Sequence, residues 1–341
     1  MKILISPLYA TSVLNQAWLI RRLIESKGYD CEFKSTISVF DIKNENNVGF
    51  LWFTLATIQF IGDAIFPYLY CDKPKAVYVT VEGIPTKANV LCSNLDKLQL
   101  VANSKFTKES LERVGLNVVD VVHHAINWNL CDKISLNPKG LGNKFTDKCK
   151  LIYVGRNDPR KALDRLSKAI DILNEKGVKD WVLFLHTEAS AKDMFDKPNC
   201  VLLPNFGGFS YEDTLHLIAS CDYLVFPTMC EGFGLPLLEA NALGKPAIHC
   251  WFPPLSEFSS KDFNFVFDYI EEAWAKCGAT QYWIFHQYAP EQLAEMIMYA
   301  IDVYHNSKEE YQEYCFKAKK HAKNWDYKKI YKKLLKMIGV R

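Results

Sequence analysis

Short apolar runs alternate with amphipathic segments along nearly the whole 341-residue chain. This alternation restricts the possible folds more than any other feature of the sequence. The runs predicted to be strands are Ile3–Ser6, Val48–Phe53, Ala76–Val81, Gln99–Ala102, Val118–His123, Leu151–Val154, Trp181–His186, Val201–Leu203, Tyr223–Phe226 and Pro246–His249. Segments such as Asn15–Ser26 and Asp164–Lys176 carry apolar residues at helical spacing. Apolar strands separated by helices indicate parallel sheets that are covered on both faces. Right-handed crossovers then predict an α/β protein with doubly wound sheets.

A turn-rich stretch, Asn137–Asn143, divides the strands into two series. A chain of this length also suits two domains better than one. We therefore predict a Rossmann-like N-terminal domain over residues 1–135 and a Rossmann-like C-terminal domain over residues 145–322. Ligands of such sheets bind at the carboxyl ends of the strands, which predicts a site in an interdomain cleft.

The composition argues for a folded protein in a reducing compartment. Hydrophobic residues make up 49% of the chain, and the net charge of +2 gives no sign of a nucleic-acid partner. The 11 cysteines include no C-x-x-C pair, which favours free thiols and a cytoplasmic location. Met1–Ser6 is too short an apolar block for a signal peptide. The apolar stretch Val48–Tyr70 contains Asp63 and Pro67, so a buried strand followed by a half-buried helix is favoured over a membrane span.

The most informative segment is Phe226–Ala240, in which a strand runs into a glycine-rich loop and then a helix. The start of a helix is a site for anions, because unpaired N–H groups and the positive end of the helix dipole lie there. Gly232 and Gly234 permit a close approach of the backbone to a ligand. Glu231 lies in the loop and Glu239 about one turn into the helix, so both can face the same cleft.

A second segment, Tyr153–Ala162, places basic residues after another predicted strand. Arg156 and Lys161 at the end of that strand can hold a diphosphate from two sides. Arg160 adds a third positive charge. The alternative interpretation is a solvated basic loop.

Together these segments resemble the nucleotide-sugar signature of retaining glycosyltransferases, in particular family 4, which has the two-Rossmann GT-B fold. The matching positions are Pro227, Glu231, Gly232, Phe233, Gly234, Leu235, Glu239, Gly244 and Pro246. Thr228 stands for the usual Ser, Ala247 for Val, and Ala162 for the Gly that often follows the lysine. The resemblance spans about residues 75–250, and residues 323–341 resemble the closing helix that packs back on the first domain.

The resemblance implies that a sugar is moved from a nucleotide-diphosphate sugar to a glycan, lipid or protein acceptor, with no metal and no further cofactor. The catalytic residues that it implies are Glu231, Arg156, Lys161 and Glu82. The donor-binding residues are Gly155, Phe233, Gly234, Leu235, Glu239, Asn205, Phe206 and His186. The acceptor side is expected to include Ser6, Thr11 and Ser12.

Several alternatives stay open at this stage. Glu82 stands where the family usually has a histidine, and it is either a ligand of the sugar or acceptor or a capping or salt-bridged acid. His186 either touches the donor or is a satisfied core histidine. The basic segment 323–341 is either a solvated helix face or a peripheral contact with an anionic membrane. A non-catalytic nucleotide-sugar-binding protein and a GT-B epimerase or phosphorylase are the alternative functions, and a phosphorylase requires pyridoxal phosphate.

Overall fold

The computed structural model describes residues 1–7, 11–55, 67–93, 95–140 and 145–341. These residues form two six-stranded parallel sheets and a smaller three-stranded sheet. Helices cover the large sheets, which confirms the predicted α/β fold with two Rossmann-like sheets.

The first large sheet has the strand order β2-β1-β3-β4-β6-β7, and the second has the order β10-β9-β8-β11-β12-β13. The strands are β1 Lys2–Ser6, β2 Asp30–Phe33, β3 Asn47–Leu55, β4 Lys75–Thr80, β5 Gly83–Pro85, β6 Leu100–Ala102, β7 Val118–Val121, β8 Cys149–Val154, β9 Trp181–His186, β10 Cys200–Leu203, β11 Tyr223–Phe226, β12 Ala247–Trp251, β13 Phe265–Asp268, β14 Glu271–Cys277 and β15 Gln281–Gln287. The helices are α1 Thr11–Glu25, α2 Val39–Lys43, α3 Lys87–Ser93, α4 Lys105–Glu112, α5 Trp128–Leu136, α6 Leu163–Glu175, α7 Tyr211–Ala219, α8 Leu235–Ala242, α9 Pro290–Asn306, α10 Lys308–Ala322, α11 Tyr327–Ile330 and α12 Lys332–Met337.

The strands of the first sheet are apolar on both faces because each face supports its own core. In β1, Ile3 and Ile5 join a cluster with α1 and the C-terminal residues, whereas Leu4 joins a cluster on the other face with Phe50 and Trp52. Successive side chains of a strand point to opposite faces, so a strand that is buried on both must be apolar throughout. This is the pattern from which the strand was predicted.

The chain divides into two compact units. The first unit contains residues 1–127, 274–284 and 325–341, and the second contains residues 128–273 and 285–324. The C-terminal residues 325–341 belong to the first unit, where Tyr331 and Leu334 are fully buried in the same cluster as α1.

The two units differ from the predicted domains of residues 1–135 and 145–322. Residues 128–135 belong to the second unit. Residues 274–284, the tip of the β14–β15 hairpin, belong to the first unit because β15 pairs antiparallel with β5. Gly83 makes this pairing possible, since a Cβ there would lie 1.9 Å from the Tyr282 carbonyl oxygen. Such a contact is far too short for any other residue at this position.

The apolar stretch Val48–Tyr70 begins as predicted with a buried strand, β3. The helix predicted to follow it falls largely on residues 56–66, outside the described residues. No helix in the described part of the chain is long and apolar enough to cross a membrane.

Candidate functional site

The glycine-rich segment of the second unit has the predicted order of strand, loop and helix. β11 ends at Phe226, and α8 begins at Leu235 with Gly234 as its N-cap. Gly234 has φ +97°, and a Cβ there would lie 2.3 Å from the Leu255 side chain. Both the backbone conformation and the lack of space therefore require glycine before the helix.

A buried ion cluster surrounds Glu231 in this loop. The Glu231 side chain is only 7% exposed, and its Oε1 accepts a short hydrogen bond from Lys161 Nζ. Its Oε2 lies 3.7 Å from Arg160 Nη1. A carboxylate that is removed from water needs such partners, because an unpaired buried charge is strongly destabilising.

Hydrogen bonds to its backbone join the basic loop after β8 to the loop that contains Glu231. The Arg160 carbonyl oxygen accepts hydrogen bonds from Met229 N at 2.9 Å and Thr228 Oγ1 at 3.1 Å. The next turn ends at Ala162, which has φ +52° and ψ +41°. Ala162 therefore adopts the left-handed conformation that glycine adopts most easily, although its side chain is a methyl group.

Arg156 has a different environment from Lys161. Its side chain is 69% exposed, and its Nε lies 3.0 Å from Glu188 Oε1. The Asn157 N–H, with a further contribution from Arg156, holds the pKa of the Glu188 carboxyl below its usual value. The structure thus joins Lys161 to Glu231 and pairs Arg156 with Glu188, a residue that the sequence analysis did not single out.

Glu239 lies on α8 and is buried against α7. It accepts a hydrogen bond from the Tyr211 hydroxyl at 2.8 Å. Burial raises the pKa of Glu239 from 4.5 to about 7. Tyr211 is the second partner that sequence reasoning missed, and no motif in the sequence marks it.

His186 ends β9 and lies in a small aromatic cluster. Its ring stacks on Phe209 with centroids 4.7 Å apart and lies 5.4 Å from the Phe206 ring. Its Nδ1 is buried and finds no hydrogen-bond partner among the described residues. Burial lowers the pKa of His186, so the neutral ring is favoured. Asn205 of the same loop is exposed and forms an isolated bridge with Glu188.

Two of the predicted donor-binding residues, Phe233 and Leu235, have side chains in the protein interior, and a third, Gly155, has no side chain. Phe233 stacks on Phe258 at a centroid distance of 4.8 Å, and Leu235 is 6% exposed. Gly155 donates its N–H to the His186 carbonyl oxygen at 3.2 Å. Contacts between these residues and a ligand would therefore be made by the backbone.

The remaining predicted residues belong to the first unit. Glu82 is half-buried in the turn between β4 and β5, and Ser6 donates a hydrogen bond to the Ser35 carbonyl oxygen at 3.2 Å. Ser12 is exposed in the first turn of α1. Thr11 begins that helix, and its side chain lies outside the described part. Among the described residues no group of three or more His, Cys, Asp or Glu is arranged to hold a metal ion.

Comparisons with known proteins bear on the family and the fold of the chain. A family model described as "Glycosyl transferases group 1" matches residues 140–321. An uncharacterized glycosyltransferase of Sulfolobus islandicus rod-shaped virus 1 is 29% identical over 292 residues, which cover 82% of this chain and 85% of the relative. An uncharacterized glycosyltransferase of Methanocaldococcus jannaschii is 27% identical over 240 residues, or 64% of this chain and 58% of the relative.

Solved structures with the same fold are more distant in sequence. HepE of Anabaena, in complex with UDP and glucose, has a TM-score of 0.66 at 14% identity, with 98% of each chain covered. TarM has a TM-score of 0.59 at 12% identity, with 85% of this chain and 55% of TarM covered. At such low sequence identity, the structural similarity shows a common fold and nothing more.

Proposed function

The chain belongs to the family of group 1 glycosyl transferases, and on that premise we propose that it is a retaining enzyme that uses a nucleotide-diphosphate sugar without a bound metal ion. The observation that carries this proposal is the buried pair between Lys161, in the loop after β8, and Glu231, in the loop before α8. Lys161 supplies a cation for phosphate, and Glu231 supplies an acceptor for hydroxyl groups. The helix that follows the Glu231 loop, α8, supplies the positive end of its dipole.

The diphosphate of the donor is the part of the substrate on which charge develops as the glycosidic bond breaks. Lys161 and the N-terminal end of α8 stabilise that charge, and Arg156 joins them by leaving the solvent-exposed pair with Glu188. A surface ion pair of this kind stabilises a protein by only about 0–1 kcal/mol, so Arg156 loses little free energy when it exchanges Glu188 for a phosphate group.

The two glutamates have separate tasks. Glu231 accepts hydrogen bonds from hydroxyl groups of the transferred sugar, and Glu239 accepts them from the ribose. A nucleotide-sugar donor is supported by HepE, a neighbour in fold, which has been solved in complex with UDP-glucose. In the mechanism usual for this family, the acceptor attacks from the side of the leaving group and a diphosphate oxygen takes its proton, so that no protein nucleophile is required.

The basic C-terminal segment, residues 323–341, limits the kinds of membrane contact that can be proposed for this protein. Its apolar stripe, which includes Tyr331 and Leu334, is buried in the first unit, whereas Lys328, Lys332 and Lys336 are exposed. A peripheral contact with an anionic membrane would therefore be electrostatic and would not insert this stripe into lipid. Co-sedimentation with anionic and neutral vesicles in low and high salt tests this contact.

A donor panel tests the proposed function. Thermal unfolding is followed with UDP-, GDP- and ADP-sugars, because a bound ligand raises stability in proportion to ln(1 + [L]/Kd). The stabilising donor is then incubated with the protein, and the anomeric configuration of the first product is read by NMR. Retention supports the proposal, and inversion contradicts it. Binding without turnover favours the non-catalytic alternative, and an absorbance band of pyridoxal phosphate favours a phosphorylase.

A further inference from the structure

Arg160 contacts the Glu231 loop through both its backbone and its side chain. Its Nη1 lies 3.4 Å from the Cys230 carbonyl oxygen and 3.7 Å from Glu231 Oε2. Its Nε lies 3.6 Å from Asp158 Oδ1, and the side chain is only 15% exposed. Arg160 is thus a largely buried cation, directed at the carboxylate that the proposed function assigns to the transferred sugar.

The two oxygens of Glu231 are divided between two cations. Oε1 contacts Lys161 and Oε2 faces Arg160. In the proposed reaction Lys161 must neutralise the donor diphosphate, and its ammonium is a point charge on a flexible stem that can move to the phosphate. Without a second cation, this movement would leave a carboxylate that is 7% exposed with no charged partner.

We propose that Arg160 is a positioning residue, which holds the Glu231 carboxylate directed at the sugar while Lys161 is engaged by the diphosphate. This inference rests on the proposed function. Before the donor binds, both cations share Glu231. After it binds, Lys161 Nζ transfers its hydrogen bond from Glu231 Oε1 to a phosphate oxygen, and Oε1 becomes available to a sugar hydroxyl.

The geometry explains why arginine is suited to this task. The planar guanidinium faces Asp158, the Cys230 carbonyl oxygen and Glu231 in a fixed arrangement. A lysine ammonium cannot span these three with the same orientation. Arg160 therefore stays beside Glu231 when Lys161 moves to the phosphate.

The test compares Arg160→Ala and Arg160→Lys with the wild type in donor turnover and in calorimetric affinity for the bare nucleoside diphosphate. We expect Arg160→Ala to lower kcat by about 30-fold or more, since truncating one partner of a buried charge pair has effects of this size. Affinity for the nucleoside diphosphate, which carries no sugar for Glu231 to hold, should stay within about threefold of the wild type. Arg160→Lys should recover part of kcat.

A double variant separates positioning from a structural role. If Arg160 acts through Glu231, then Arg160→Ala should lower kcat little further in a Glu231→Gln background. Arg21→Ala, which removes an arginine from an exposed pair with Glu25, is the matched control and should leave kcat and affinity unchanged. If Arg160→Ala unfolds, the same comparisons are made with Arg160→Lys, for which a smaller loss of kcat at unchanged affinity is expected.

Three results would overturn the inference. The first is an unchanged kcat in the Arg160 variants, and the second is an equal loss of kcat and of nucleoside-diphosphate affinity. The third is a full additional loss of kcat in the double variant. If the wild type binds no nucleoside diphosphate at all, the proposed function itself is wrong, which distinguishes the two failures.

Discussion

The Tyr211 hydroxyl donates a hydrogen bond to the buried Glu239 carboxylate at 2.8 Å. Despite this bond, burial raises the pKa of Glu239 from 4.5 to about 7, so the group changes charge near neutral pH. If Glu239 accepts hydrogen bonds from the ribose, the ionised form should bind the donor better, because it has more acceptor sites. Affinity for the nucleoside diphosphate should therefore rise between pH 6 and pH 8, by about tenfold at most.

The stability of the ligand-free protein should change with pH in the opposite direction. The folded-state pKa lies above the usual value of 4.5, so the contribution of Glu239 to stability is fully present below that pH. It is lost as the pH rises through about 7. Glu239→Gln should flatten both profiles over this range. Calorimetric affinities and urea unfolding at matched pH values check both signs, and profiles identical to those of the wild type would contradict them.

Lys161→Ala and Arg156→Ala should both reduce turnover and should differ in stability. Each is expected to raise the barrier by about 2–4 kcal/mol, the size seen when one donor to a developing anion is removed. Lys161→Ala also removes the closest cation from buried Glu231, so it should lower the free energy of unfolding more than Arg156→Ala does. Steady-state kinetics and urea unfolding measure the two effects, and unchanged rates in both variants would remove the proposed phosphate site.

Glu231→Gln and Glu239→Gln should separate catalysis from binding. Glu231 is proposed to meet the transferred sugar, so its amide variant should lower kcat with little change in affinity for the nucleoside diphosphate. Glu239 is proposed to meet the ribose, which takes no part in bond breaking, so its variant should mainly weaken that affinity. The reverse pattern would show that the two roles are exchanged.

Metal chelation is a further test. No Asp is followed two residues later by a second Asp in this sequence, so the metal-binding pair of the other major glycosyltransferase fold is missing. We therefore expect donor turnover to survive dialysis against EDTA within about twofold. A complete loss that magnesium restores would contradict metal independence.

The sequence predicted the interior strands of both sheets well, because strands buried on two faces are continuously apolar. It missed strands that lack this pattern. Asp30–Phe33 is short and alternates in polarity, and most residues of Glu271–Cys277 are exposed. The pairing of β15 with Gly83–Pro85 joins segments about 200 residues apart, which no local pattern can indicate.

The structure adds pairings between the candidate site residues that the sequence does not indicate. The glycine-rich motif gave Glu231 and Glu239, but no spacing rule states that Lys161 contacts Glu231 while Arg156 turns to Glu188. Glu188 follows the end of β9, and the rule that ligands meet strand ends could have drawn attention to it. The sequence marks Arg160 only as an extra positive charge, because the direction of its side chain depends on how two loops are joined.

A calorimetric titration of UDP, GDP and ADP into the wild type and Lys161→Ala at pH 8 tests most directly whether Lys161 holds the donor diphosphate. If Lys161 holds the donor diphosphate, one of these nucleotides binds the wild type, and Lys161→Ala weakens this binding by about 10-fold or more, as expected when a charge-assisted phosphate contact is lost. Equal affinity of the two proteins for that nucleotide, or no binding of any of the three to the wild type, would contradict the claim that Lys161 holds the donor diphosphate.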